Sequence, residues 1–127
     1  MDFSFGGKTL YVCGYGYTDN KKNKPVYLTC GSLYNMKDSD CAINTGEKNE
    51  LCFSSSANSG GPCGRDNGAP IYRINSDYSR VLVGLFSRTF GSTSKSMCID
   101  GRAKYIFTKI AYYDKFITDT IAQNINN

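Results

Sequence analysis

The stretch that decides the fold is Cys63-Gly64-Arg65-Asp66-Asn67-Gly68-Ala69-Pro70-Ile71. It joins a cysteine to turn formers, Asn67 and Gly68 among them, and ends where a β-like run begins at Ile71. Working outward, runs of β-branched and aromatic residues lie on both sides. Ile71–Ile74 and Val81–Phe86 follow it, Tyr105–Ile110 lies near the end, and Thr9–Val12, Val26–Thr29 and Leu51–Phe53 precede it. Turn residues such as Gly14, Gly31, Gly46, Asp77 and Gly101 flank these runs, which reads as short strands. Six such strands predict a sandwich or a small barrel. After Ile110 the period changes: Ile110, Tyr113, Ile117, Ile121 and Ile125 recur at helical steps. Asp114 falls in the first turn, where the helix dipole favours a carboxylate. The expectation is an all-β body closed by a helix over residues 112–125.

The chain has 127 residues, enough for a single domain over 1–127 that buries roughly two-thirds of its unfolded surface. A hydrophobic fraction of 40% and a charged fraction of 20% are those of a globular protein. No apolar run approaches the ~20 residues of a membrane-spanning helix. Neither an internal repeat nor a linker interrupts the pattern. Six cysteines, none in a zinc-binding pattern, suit a disulfide framework and hence a secreted, extracellular protein; buried thiols of a cytosolic protein are the alternative. Met1-Asp2-Phe3-Ser4 has neither the basic start nor the apolar stretch of a signal peptide, so secretion requires a leader removed upstream and a non-native Met1. There is no histidine, which removes from these residues the commonest catalytic base and the commonest zinc ligand. No metal and no cofactor is expected. The net charge is +4, with its densest cluster at Lys21, Lys22 and Lys24. Such a cluster is either a solvated loop or a small site for an anionic polysaccharide; it is too short to suggest nucleic acid.

The Cys63–Ile71 segment resembles the Cys-x-Gly-Asp-Ser-Gly-Gly-Pro-Leu signature of trypsin/chymotrypsin-like serine proteases, with Asn67 at the nucleophile position. Val81-Leu82-Val83-Gly84-Leu85-Phe86-Ser87 is similar to the strand that follows the signature. Tyr105–Ile110 is similar to the last barrel strand, Tyr113–Ile117 to the closing helix, and Cys13-Gly14-Tyr15-Gly16 to the Gly-Trp-Gly turn. The resemblance implies a six-stranded antiparallel Greek-key barrel, the C-terminal one of the family's two. The first barrel, which supplies the family's histidine and aspartate, lies outside the resemblance. A rival register, Asn58-Ser59-Gly60-Gly61-Pro62, retains a serine. It puts Ser55 at the cysteine position and Asn58 at the aspartate position, and leaves too long a step to Ser87. The Asn67 register is therefore preferred.

A serine hydrolase needs a nucleophilic Oγ, a base and donors for the oxyanion. In this register Asn67 offers an amide, and Arg65 stands where the family has a glycine lining the oxyanion hole. Glycine accepts backbone angles that arginine resists. A serine–lysine dyad using Lys95 or Lys104 would need a desolvated lysine. The expectation is a pseudoprotease with no catalytic residue. The resemblance places Gly61, Tyr105 and Ser87 around the substrate pocket, with Tyr105 filling the slot or simply packing in the barrel. Asp66 matches an aspartate that pairs with a new N-terminus on zymogen cleavage; without that partner it should be exposed or paired with Arg65, Arg102 or Lys104. Six cysteines allow fifteen pairings. The resemblance implies Cys41–Cys52 and Cys63–Cys98, which leaves Cys13–Cys30, sensible if the first two strands form a hairpin.

Three functions fit these features. One is a non-catalytic secreted homologue that binds or regulates another protein, or associates with itself, through faces rich in tyrosine such as Tyr11, Tyr15, Tyr17, Tyr27 and Tyr34. The second is a basic anionic-polymer-binding or antimicrobial protein. The third is one half of a split protease, which Asn67 argues against.

Overall fold

Strand alternation builds the core. On β1 (Thr9–Gly14), Leu10 and Val12 are buried while Tyr11 between them is exposed. The computed structural model of the protein describes residues 9–16, 25–36, 49–54, 61–63, 65–90 and 104–125. β1 pairs along its length with β2 (Thr29–Asn35), and β2 passes the sheet to β3 (Glu50–Ser54). β4 (Pro70–Ile74) lies on the other side of β1, so the order 4-1-2-3 is a Greek key. β5 (Arg80–Phe90) and β6 (Lys104–Lys109) fill the gap between β4 and β3 and close the barrel, all pairs antiparallel. Among the described residues, closure leaves no open sheet edge.

Leu10, Val12, Leu33, Phe53, Ile71, Val83, Phe86, Tyr105 and Phe107 form one buried cluster drawn from all six strands. Phe107 is its hinge, meeting Phe53 edge-on at 5.1 Å and Phe86 at 5.4 Å between centroids. On the other side of the sheet, the cross-strand partners Cys52 and Ile106 form a second cluster with Met36 against it. β6 is therefore buried on both faces, which explains the unbroken run Tyr105-Ile106-Phe107.

The barrel and helix agree with the expectation, but β2 lies further along: Thr29–Asn35 instead of Val26–Thr29. Val26, Tyr27 and Leu28 are exposed ahead of the strand, whereas Leu33 within it is fully buried. Gly31, Ser32 and Asn35 have weak strand preference, so pairing with β1, and with β3 at Asn35, overrides composition here. β5 also runs past its expected end at Phe86 to Phe90. The helix begins as a 3-10 turn, Ile110–Tyr113, and continues as α1 (Asp114–Ile125), against an expected start at 112.

Two irregularities in β5 shape the site. The register shifts between Ile71 and Tyr72, making Val83 the extra residue opposite β4. It shifts again between Phe86 and Arg88, making Ser87 the extra residue opposite β6. The β4–β5 turn is held by Asn75, whose amide N–H donates to the Ser79 carbonyl, and by Asp77, whose Oδ1 accepts from the Ser79 hydroxyl and amide. Those bonds, the hydroxyl's first, hold the Asp77 carboxyl below its ordinary value.

Cys13 and Cys30, opposite each other in the β1–β2 register, form a disulfide. Cys52 and Cys63 are also disulfide-bonded; their expected partners, Cys41 and Cys98, lie outside the described residues. So do Lys21, Lys22, Lys24, Ser59 and Arg102. Among the described residues no helix is long and apolar enough to cross a membrane.

Candidate functional site

The site is the loop from Cys63 into β4. Its first bend is closed by the Asp66 amide donating to the Cys63 carbonyl at 3.0 Å, and its second by the Ala69 amide donating to the Asp66 carbonyl at 2.8 Å. Gly68, the third residue of the second bend, has φ +83, a conformation a type II turn reserves for glycine. The loop is then fastened to β5: the Gly68 amide donates to the Phe86 carbonyl, and the Phe86 amide to the Ala69 carbonyl. These two bonds carry the β4–β5 pairing back to the loop and fix where Asn67 stands.

Asn67 is exposed at the tip of the bend, and its Nδ2 donates to the Ser87 carbonyl at 2.8 Å. The bulge at Ser87 and the turn at Gly68 thus bring Asn67 and Ser87 together, two residues that the sequence singled out separately. The amide has no nucleophilic lone pair at neutral pH, and one of its donors is spent on this bond. Beside it, Arg65 takes φ +70, the left-handed region that costs a residue with a Cβ about 1–2 kcal/mol. The loop therefore keeps a glycine-type backbone at Arg65 without the glycine.

Asp66 is half-buried, and of its three expected cation partners Arg102 lies outside the described residues. Its Oδ1 accepts the Gly16 amide at 2.8 Å, and its Oδ2 accepts the Cys63 amide at 2.9 Å. Two backbone amides thus donate to the carboxylate, one to each oxygen. The contact also requires Gly14, since a Cβ there would lie 2.1 Å from Asp66 Oδ1. Gly14 and Gly16 are the site residues that sequence reasoning underrated; their spacing around Tyr15 was visible as a turn, but not as the seat of Asp66. Tyr15, Leu28, Arg65, Asn67 and Pro70 line an open groove beside this junction.

Gly61 and Tyr105 are also brought together. A Cβ on Gly61 would lie 2.3 Å from Tyr105 Cζ and 2.6 Å from its hydroxyl oxygen, and Tyr105 is fully buried. The phenol ring occupies the space directly over the glycine. Among the described residues no cluster of histidine, cysteine or carboxylate side chains could hold a metal ion.

A protein-family model described as Trypsin matches residues 4–117. Human kallikrein-2 is 30% identical over 122 residues, covering 93% of this chain and 43% of the relative, so the chain spans less than half of that protein's length. The closed six-stranded Greek-key barrel with its C-terminal helix is a trypsin-like fold. Fold and family match agree, and the chain belongs to the trypsin family.

Proposed function

We propose that this chain is a non-catalytic, extracellular member of the trypsin family that works as a binding or regulatory module for another protein. The observation that carries the reading is Asn67. It stands at the position the family resemblance gives to the nucleophile, with its amide tied to the Ser87 carbonyl at 2.8 Å. Two further features support it. Arg65 occupies the position the resemblance gives to an oxyanion-hole glycine, and the Tyr105 ring lies over Gly61, which the resemblance assigns to the substrate pocket. The Cys13–Cys30 disulfide, with Cys52 and Cys63 bonded as well, supports an oxidising compartment. A binding role draws support from the groove, whose lining includes the exposed Tyr15 and Leu28, and from Val26 and Tyr27, exposed just before Leu28 in the chain.

The test is labelling with a serine-directed organophosphonate, applied to the protein isolated from its native source and followed by peptide mapping. The expected result is no adduct in this chain. An adduct on Ser59 would overturn the reading in favour of the rival register and an active hydrolase.

A further inference from the structure

Asn67–Gly68 is the sole Asn–Gly step in the sequence. In such a step the Gly backbone nitrogen has no side chain hindering its approach to the preceding side-chain amide. After losing its proton it attacks Asn Cγ, a C–N bond forms, and ammonia leaves with the amide nitrogen. Water then opens the cyclic imide at either carbonyl and leaves aspartate or isoaspartate, so the net change is one water in and one ammonia out. No oxidant, metal or enzyme is required.

The structure ties down both atoms that must meet. The Gly68 N–H, the group that has to be deprotonated, donates to the Phe86 carbonyl at 2.8 Å. The Asn67 side chain, which has to swing toward that nitrogen, donates through Nδ2 to the Ser87 carbonyl at 2.8 Å. Both anchors are backbone carbonyls of β5, one of them on its bulge. Ring closure must break both bonds, and the Ala69-to-Asp66 bond of the same turn opposes the twist it needs. Asn67 is nevertheless solvent-exposed, so water and base reach it whenever the loop opens.

We propose that Asn67–Gly68 is a conformationally gated deamidation site, held shut by its anchorage on β5 and released when the Cys63–Pro70 loop detaches. The product changes the loop. Isoaspartate routes the main chain through an extra methylene, so the turn cannot keep the Asp66, Gly68 and Ala69 bonds together. Aspartate puts a second carboxylate next to Asp66 and removes the donor to Ser87. A molecule that reacts while open thus carries a lasting chemical mark on the face that Arg65 and Asn67 present. This inference is independent of what the groove binds.

The test compares the folded, disulfide-intact protein with the same protein reduced, alkylated and unfolded, both held at one mildly alkaline pH and temperature. Peptide mapping with isoaspartyl methyltransferase labelling reads the conversion. Conversion at Asn67 is expected to be at least about tenfold slower in the folded protein, because it must pass through local opening. Equal rates in the two states would overturn the gating. An unreactive Asn67 in the unfolded chain would overturn the site itself. The Asn67→Gln variant, whose longer side chain closes its ring far more slowly, is expected to remove the signal; its persistence would place the reaction elsewhere and overturn the assignment.

Discussion

Gly61 and Tyr105 meet at a distance that leaves no room for a side chain, and the ring that fills the space belongs to the main core cluster. An added methyl at Gly61 would press on Cζ at 2.3 Å, and a fully buried ring has no free direction in which to retreat. Gly61→Ala is therefore expected to cost about 1–3 kcal/mol, read as a lower denaturant midpoint. A loss below about 0.5 kcal/mol would mean that Tyr105 swings out easily and that the space over Gly61 is not closed. Asp66 illustrates the opposite balance. Two amide donors meet its carboxylate, one on each oxygen, so a residue whose type suggested an ion pair works as a staple between Gly16 and Cys63. Residue type predicted that it needed partners; only the fold brought the Gly14–Gly16 turn within reach.

At the scale of elements, β4, β5, β6 and the helix were legible because local pattern and tertiary role agree there. Ile71–Ile74 and Val81–Phe86 carry branched and aromatic residues, and the isoleucine stripe has a helical period. β2 was legible only as a neighbour of β1. Its apolar-looking flank, Val26–Leu28, is exposed, while pairing recruits Gly31 and Ser32 into the strand. The bulge at Ser87 had no signal in the sequence, since a register shift depends on both strands at once. The site was accordingly readable as a list of residues and not as the Asn67–Ser87 contact. What locks the β1–β2 register is the Cys13–Cys30 bridge, closing a sequence separation of 17 residues. In the chain-entropy model a loop of that size contributes about 3 kcal/mol by restricting the unfolded chain. Replacing both cysteines with serine is expected to lower stability by roughly that amount in equilibrium unfolding while keeping the β-rich circular dichroism spectrum. Loss of the folded spectrum at low temperature would contradict it, showing that β1 and β2 cannot pair without the bridge.

For the whole molecule, the question is what the C-terminal helix contributes to the barrel. The 3-10 turn packs on β5 and is anchored by Asn49, whose Nδ2 donates to the Tyr113 hydroxyl at 2.8 Å. Beyond that anchor the apolar stripe emerges into solvent: Ile117 is 37% exposed, Ile121 54% and Ile125 76%, and α1 has no buried residue. Apolar area stabilises only when it leaves water, at about 25 cal/mol per Å², so an uncovered stripe adds little to the barrel. The helix is held instead by local terms, such as the Lys115–Asp119 pair, worth about 0.3–0.5 kcal/mol at an exposed i,i+4 site. It follows that Ile121→Lys with Ile125→Lys should change the stability of this chain by no more than about 0.5 kcal/mol, measured by urea unfolding at low protein concentration. Binding of an apolar dye should fall in the same variant, since the stripe is its exposed target. A loss of more than about 2 kcal/mol would mean that the stripe is already covered. If that loss grew with protein concentration, the cover would be a second copy of the chain, because only association makes stability depend on concentration.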